Sequence, residues 1–189
     1  SNTTSTLQVV ANPILNTHTS PVAHTLFENL HKLQADLVRY VPWFPYPTVG
    51  VAELEPPNEK AKISHWNFSR ELKQQFHDVF EAVTTYHNNK RVVINFSTQP
   101  TWMFNTTEWG YKTDPNDADW GYPKGNFDPK RTPQLVAKYY GRLASWIIKG
   151  EFQDEFNNTI TGGPAYGDRV THWEIFNEPE AEHSLSPQE

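Results

Sequence analysis

The alternation of short apolar runs with stretches patterned at helical spacing limits what this chain can fold into more than any other feature. Leu7-Gln8-Val9-Val10, Leu37-Val38-Arg39-Tyr40-Val41, Val92-Val93-Ile94-Asn95-Phe96 and the run from Val170 to Phe176 read as strands. Between them lie Leu26, Phe27, Leu30 and Leu33, then Leu72, Phe76, Val79, Phe80 and Val83, then Leu135, Val136, Tyr139, Tyr140, Leu143 and Ile147. Each set recurs at the spacing that gathers side chains on one face of a helix. Local signals agree. Ser20 before Pro21 predicts an N-cap with proline at the first helical position, Ser69 predicts a second cap, and Thr132-Pro133 opens the third helix. Segments 42–57, 105–131 and 157–168 are rich in Pro, Gly, Asn or Asp and predict irregular loops.

The order β-α-β-α-β-α-β predicts a parallel sheet with crossover helices, the α/β class. Doubly wound sheets and (β/α)8 barrels both begin this way. No Gly-rich turn follows the first strand, so the dinucleotide-binding fingerprint is missing. The long aromatic segments follow the second and third strands, where a barrel carries its active-site loops. The expectation is one domain over residues 1–189, comprising strands one to four of a (β/α)8 TIM barrel. Four strands use most of the 189 residues, so the chain reads as the N-terminal half of the barrel. A C-terminal segment, separate or absent, is expected to complete it.

Composition removes several classes of function. The net charge is −6 with Lys and Arg dispersed, whereas a nucleic-acid binder usually carries a basic stripe. No apolar run approaches the roughly 18 residues of a membrane span. The absence of cysteine excludes disulfides, thiolate metal sites and cysteine nucleophiles. The 11 Phe, 8 Tyr and 7 Trp argue for a packed chain rather than a disordered one. Five Asn-x-Ser/Thr sequons begin at Asn2, Asn67, Asn95, Asn105 and Asn157. That density points to a secreted, extracellular or lysosomal protein. Asn95 lies within an apolar run and is expected to be buried, leaving Asn2, Asn67, Asn105 and Asn157 as expected glycan acceptors.

The fourth strand carries the chemistry. His172-Trp173-Glu174-Ile175-Phe176 runs into Asn177-Glu178-Pro179. Arg39 lies on the second strand, and Pro100-Thr101-Trp102-Met103 follows the third. This set resembles retaining glycoside hydrolases of the large (β/α)8 clan that includes cellulases, β-xylosidases and α-iduronidases, most closely the family 39 type. The resemblance covers the whole chain in element order but only these few residues in detail. It implies that Glu178 is the general acid and later the general base, holding a proton near neutral pH. It implies that Asn177 hydrogen-bonds the sugar 2-hydroxyl and that Arg39 fixes the nucleophilic carboxylate. The nucleophile would lie at the end of a seventh strand, outside these residues. Trp102 and Trp66 offer flat faces on which pyranose rings could stack.

Other readings of the same residues stay open. Trp43, Trp109 and Trp120 are candidates to line a cleft, while Trp146 and Trp173 are expected in the core. His172, Glu174 and Glu178 alternate along the fourth strand and could share one side. A satisfied hydrogen-bonded cluster is expected there rather than a metal, and no cofactor is expected. A catalytically inactive glycosidase-like protein, binding carbohydrate or serving in a cell wall, is the alternative function.

Overall fold

The four apolar runs become the strands of one sheet in the computed structural model, which describes residues 5–42, 51–84, 91–104, 114, 128–180, 186 and 188. In chain order the principal elements are β1 (Thr6–Val10), α1 (Ala23–Leu33), β2 (Leu37–Val41), α2 (Arg70–Thr84), β3 (Arg91–Phe96), α3 (Thr132–Lys149), β4 (Phe152–Gln153), β5 (Thr159–Ile160) and β6 (Val170–Ile175). The sheet order is β1-β2-β3-β6, and every pairing is parallel. The structure is therefore α/β with a four-stranded parallel sheet, as the alternation predicts.

Side-chain alternation divides the sheet into two unlike faces. Val38 and Tyr40 of β2 and Val92, Ile94 and Phe96 of β3 are buried in one apolar cluster. The same cluster takes Phe76 and Phe80 from α2 and Tyr139, Leu143 and Trp146 from α3, with Phe27 and Leu30 of α1 packed at its margin. All three helices thus cover the same face. The intervening strand positions put polar residues on the other face: Gln8 is in register with Arg39, and Asn95 with Glu174.

Helix boundaries follow local chemistry in two cases of three. Ser69 caps α2, its hydroxyl accepting from the Leu72 amide at 3.0 Å. α3 opens at Thr132-Pro133 and ends at Gly150, whose φ of 83° is the left-handed conformation that suits glycine. At α1 the Ser20-Pro21 signal misplaces the start, for the helix begins at Ala23 with Val22 at the cap position. Ser20 does not cap it: its amide closes a turn onto the Asn16 carbonyl at 2.8 Å, and its hydroxyl is buried without a hydrogen-bond partner.

Segment 157–168, expected to be irregular, contributes β5 to a small antiparallel ladder with β4. Asp154 organises it, accepting from the amides of Phe156 and Asn158 at 2.8 Å each and from the Ser64 hydroxyl at 2.6 Å. Trp146 is fully buried as expected. Trp173 is not, with 37% of its surface exposed and one face against Phe96 at 5.3 Å between ring centres. Its neighbour Ile175 is 53% exposed, so this face of β6 lacks the helix cover that β2 and β3 receive among the described residues.

Candidate functional site

At the polar face, one arginine ties three strands together. Arg39 of β2 donates through Nε to Glu174 Oε2 at 2.6 Å and through Nη2 to Glu174 Oε1 at 2.7 Å. This is the two-pronged guanidinium–carboxylate geometry, stronger and more directional than a single ion pair. The same Nη2 donates to Asn177 Oδ1 at 2.7 Å, and Nη1 donates to Gln8 Oε1 at 2.7 Å. The hydrogen bonds from Arg39 hold the Glu174 carboxyl below its ordinary range against the opposing cost of desolvation, with a further hydrogen bond from Asn95. Glu174 is ionised at neutral pH and matched by the guanidinium charge.

The network fixes the end of the last strand. An arginine side chain carries only donors, so the carbonyl end of the Asn177 amide must face it. Asn177 is thereby held in one orientation beside Glu178, which is exposed to solvent. The backbone here leaves ordinary strand geometry. Phe176 has φ 64° and Glu178 has φ 44°, both in the left-handed region that non-glycine residues seldom occupy. Phe176 keeps one last ladder bond, its amide donating to the Phe96 carbonyl at 2.8 Å. Beyond it the chain turns, and Pro179 supplies no amide to continue the ladder.

The sequence features placed at this site are only partly brought together. Arg39 and Asn177 are hydrogen-bonded, and Glu178 follows Asn177 on the exposed turn. The guanidinium of Arg39, expected to steady a nucleophile, is instead engaged by Glu174, Asn177 and Gln8. Trp102 is 4% exposed, and its indole N–H donates to the Glu53 carbonyl at 2.9 Å. Trp66 is half-buried, stacked on Tyr139 at 5.3 Å and edge-on to Phe152 at 4.7 Å. Trp102 serves the core, so the sugar-platform expectation for it is corrected, while Trp66 packs on Tyr139 and Phe152 and stays partly exposed. Trp43, Trp109 and Trp120 lie outside the described residues.

No family model matches this chain, and neither does any curated protein or solved structure.

Three contributors escaped the sequence reading: Glu174 as the partner of Arg39, Gln8 as its third anchor, and Asn95. The available signal was period-two alternation, which puts Gln8, Arg39, Asn95 and Glu174 on one face of a parallel sheet. His172 is exposed, its Nδ1 2.9 Å from the Thr171 hydroxyl, and Glu174 is committed to Arg39. Among the described residues no group of three or more His, Asp or Glu side chains is arranged to hold a metal. No described helix is long and apolar enough to cross a membrane.

A second unusual carboxylate lies away from this site. Glu53 is completely buried, with Oε1 accepting from the His65 amide at 3.2 Å and Oε2 without a hydrogen-bond partner. Burial, together with the nearby negative charge of Glu155, pushes its pKa up to about 8. Of the expected glycan acceptors, Asn67 and Asn157 are exposed, while Asn2 and Asn105 lie outside the described residues. Asn95 is fully buried, as its apolar surroundings predicted.

Proposed function

We propose that this chain is the N-terminal half of a (β/α)8 domain in a secreted or lysosomal retaining glycoside hydrolase, with Glu178 as its acid/base residue. The observation that carries this reading is the convergence of Arg39, Glu174 and Asn177 at the end of β6. It sets an oriented amide next to an exposed carboxyl on a strained turn. Two features of the sheet support it. The strand order runs without reversal, and the helices cover one face only. A barrel has this arrangement, its inward face carrying side chains toward the axis and its chemistry at the carboxyl ends of the strands.

In this mechanism Glu178 protonates the departing glycosidic oxygen while a carboxylate from outside these residues attacks the anomeric carbon. The first step yields a covalent glycosyl-enzyme. Glu178, now ionised, then takes a proton from the water that releases the sugar. The Asn177 amide, steadied by Arg39, binds the 2-hydroxyl, a contact that strengthens as the ring approaches oxocarbenium character. Retention requires the two carboxyls to stand about 5–5.5 Å apart.

The test is a screen of the full protein against aryl glycosides, with product stereochemistry read by proton NMR at early times. Retained anomeric configuration, and a loss of roughly 10²–10⁴-fold on poor leaving groups for Glu178→Gln, are the expected results. Inverted product, or undiminished hydrolysis by Glu178→Gln, refutes the assignment. Binding of oligosaccharide without turnover would instead favour the inactive carbohydrate-binding protein.

A further inference from the structure

The turn that aims Glu178 is strained, and something must hold it. Phe176 sits at φ 64°, a conformation that costs a residue with a bulky side chain about 1 kcal/mol or more. Such a conformation persists only where the surroundings over-determine it. Its amide is fixed by the Phe96 carbonyl, and its own carbonyl accepts from Asn95 Nδ2 at 3.1 Å. Asn95 is itself clamped. It is fully buried on β3, and its Oδ1 accepts from the hydroxyl of Ser97, which is also fully buried. The Phe176 carbonyl can only accept, so Nδ2 faces β6 and Oδ1 is left to the Ser97 hydroxyl. The same side chain hydrogen-bonds Glu174, which in turn holds Arg39 and, through it, Asn177.

We propose that Asn95, anchored by Ser97, is a positioning residue for the acid/base carboxyl: it staples the Phe176 carbonyl and thereby sets the direction of Glu178. The inference rests on the glycosidase reading and adds a residue to it. Asn95 does not reach substrate. It acts by holding a backbone carbonyl two residues before Glu178, from a neighbouring strand and across 81 residues of sequence. Its sequon, Asn95-Phe96-Ser97, therefore has a structural meaning unrelated to glycosylation. The asparagine and the serine two places on point the same way from the strand end and bond each other.

A misdirected acid leaves a distinctive kinetic trace. Protonation of the leaving oxygen matters greatly for phenyl glycosides and little for 2,4-dinitrophenyl glycosides, whose phenolate departs unaided. Asn95→Ala and Ser97→Ala should be made in the full protein. The value of kcat/KM should be measured on matched phenyl and 2,4-dinitrophenyl glycosides of the sugar that the wild-type protein hydrolyses. For Asn95→Ala the expected loss is roughly 10–100-fold on the phenyl substrate and under about threefold on the dinitrophenyl one, because a small misplacement of a catalytic group suffices for such a factor. Ser97→Ala should show the same bias with a smaller loss. It decides the matter if Asn95→Ala does not fold. Equal losses on both substrates in a folded variant, or no loss on the phenyl substrate, overturn the proposal. A wild-type protein that turns over neither series overturns the glycosidase reading on which it stands.

Discussion

Replacing Glu53 by Gln should remove a pH dependence of stability that the wild-type fold carries. The folded-state pKa is raised to about 8 against an ordinary value of 4.5, chiefly by burial and then by Glu155. Between those values the folded protein keeps the proton and the unfolded chain has lost it. Stability therefore falls as pH rises through this window. The contribution is intact below pH 4.5 and exhausted above pH 8. Each pH unit within it is worth ~1.4 kcal/mol, so the loss between pH 5 and pH 8 comes to about 3–4 kcal/mol. That is a large fraction of the 5–15 kcal/mol typical of a domain. Glutamine keeps the shape and the acceptor for the His65 amide but cannot ionise. Urea unfolding followed by circular dichroism at pH 5, 6, 7 and 8 gives both curves. The two proteins should be close at pH 5 and diverge by about 3 kcal/mol in favour of Glu53→Gln by pH 8. Parallel curves, or a wild type that gains on the variant as pH rises, would refute the reasoning.

Arg39→Met should cost about 1–2 kcal/mol at pH 7, an exposed-pair value raised by the second hydrogen bond to Glu174 and the bond to Asn177. Because Arg39 holds the Glu174 pKa down, this stabilisation is present above the ordinary value of 4.5 and is lost as pH falls through the lowered one. The gap between the two proteins should accordingly narrow in acid unfolding. Gly163→Ala should destabilise by about 1–3 kcal/mol in thermal unfolding, since a Cβ there would overlap the Trp146 carbonyl at the end of α3. Mass spectrometry of native material should find glycan at Asn67 or Asn157, both exposed, and none at buried Asn95. Unmodified Asn67 and Asn157 would count against secretion.

The sheet was legible because its central strands are apolar at each position on the helix-covered face, Val38 and Tyr40 on β2 and Val92, Ile94 and Phe96 on β3. Leu37–Val41 appears where the run predicted it, and the others shift by one residue. Ser69 was legible because a cap is a local bond; Ser20 misled because it sits in a turn closed onto Asn16, two residues before the helix proper opens beyond Val22. Trp66 and Trp102 could not be assigned from composition. Whether an indole faces sugar or core depends on partners such as Tyr139 and Glu53, distant in sequence. The partner of Arg39 lies 135 residues away. Nothing in its neighbourhood announces that pairing. Glu53 was missed for a related reason: a carboxylate between apolar residues in a Pro-rich loop looks exposed until the fold closes over it.

The spread of the Arg39 network along the chain also orders its assembly in time. Gln8 is 31 residues from Arg39, but Glu174 is 135 and Asn177 is 138. At a synthesis rate of about 5–20 residues per second, Arg39 emerges roughly 7–30 s before the partners that neutralise it. Over that interval β1 and β2 can pair, yet the guanidinium must remain in water and the far edge of β3 stays open. Docking of β6 settles both at once, pairing the charge, covering the edge and bending Phe176 into its strained turn. Strand β6 is thus the one that brings Asn177 to Arg39. A chain stalled before it would display an unpaired cation and a bare parallel edge, the kind of surface on which chaperones act.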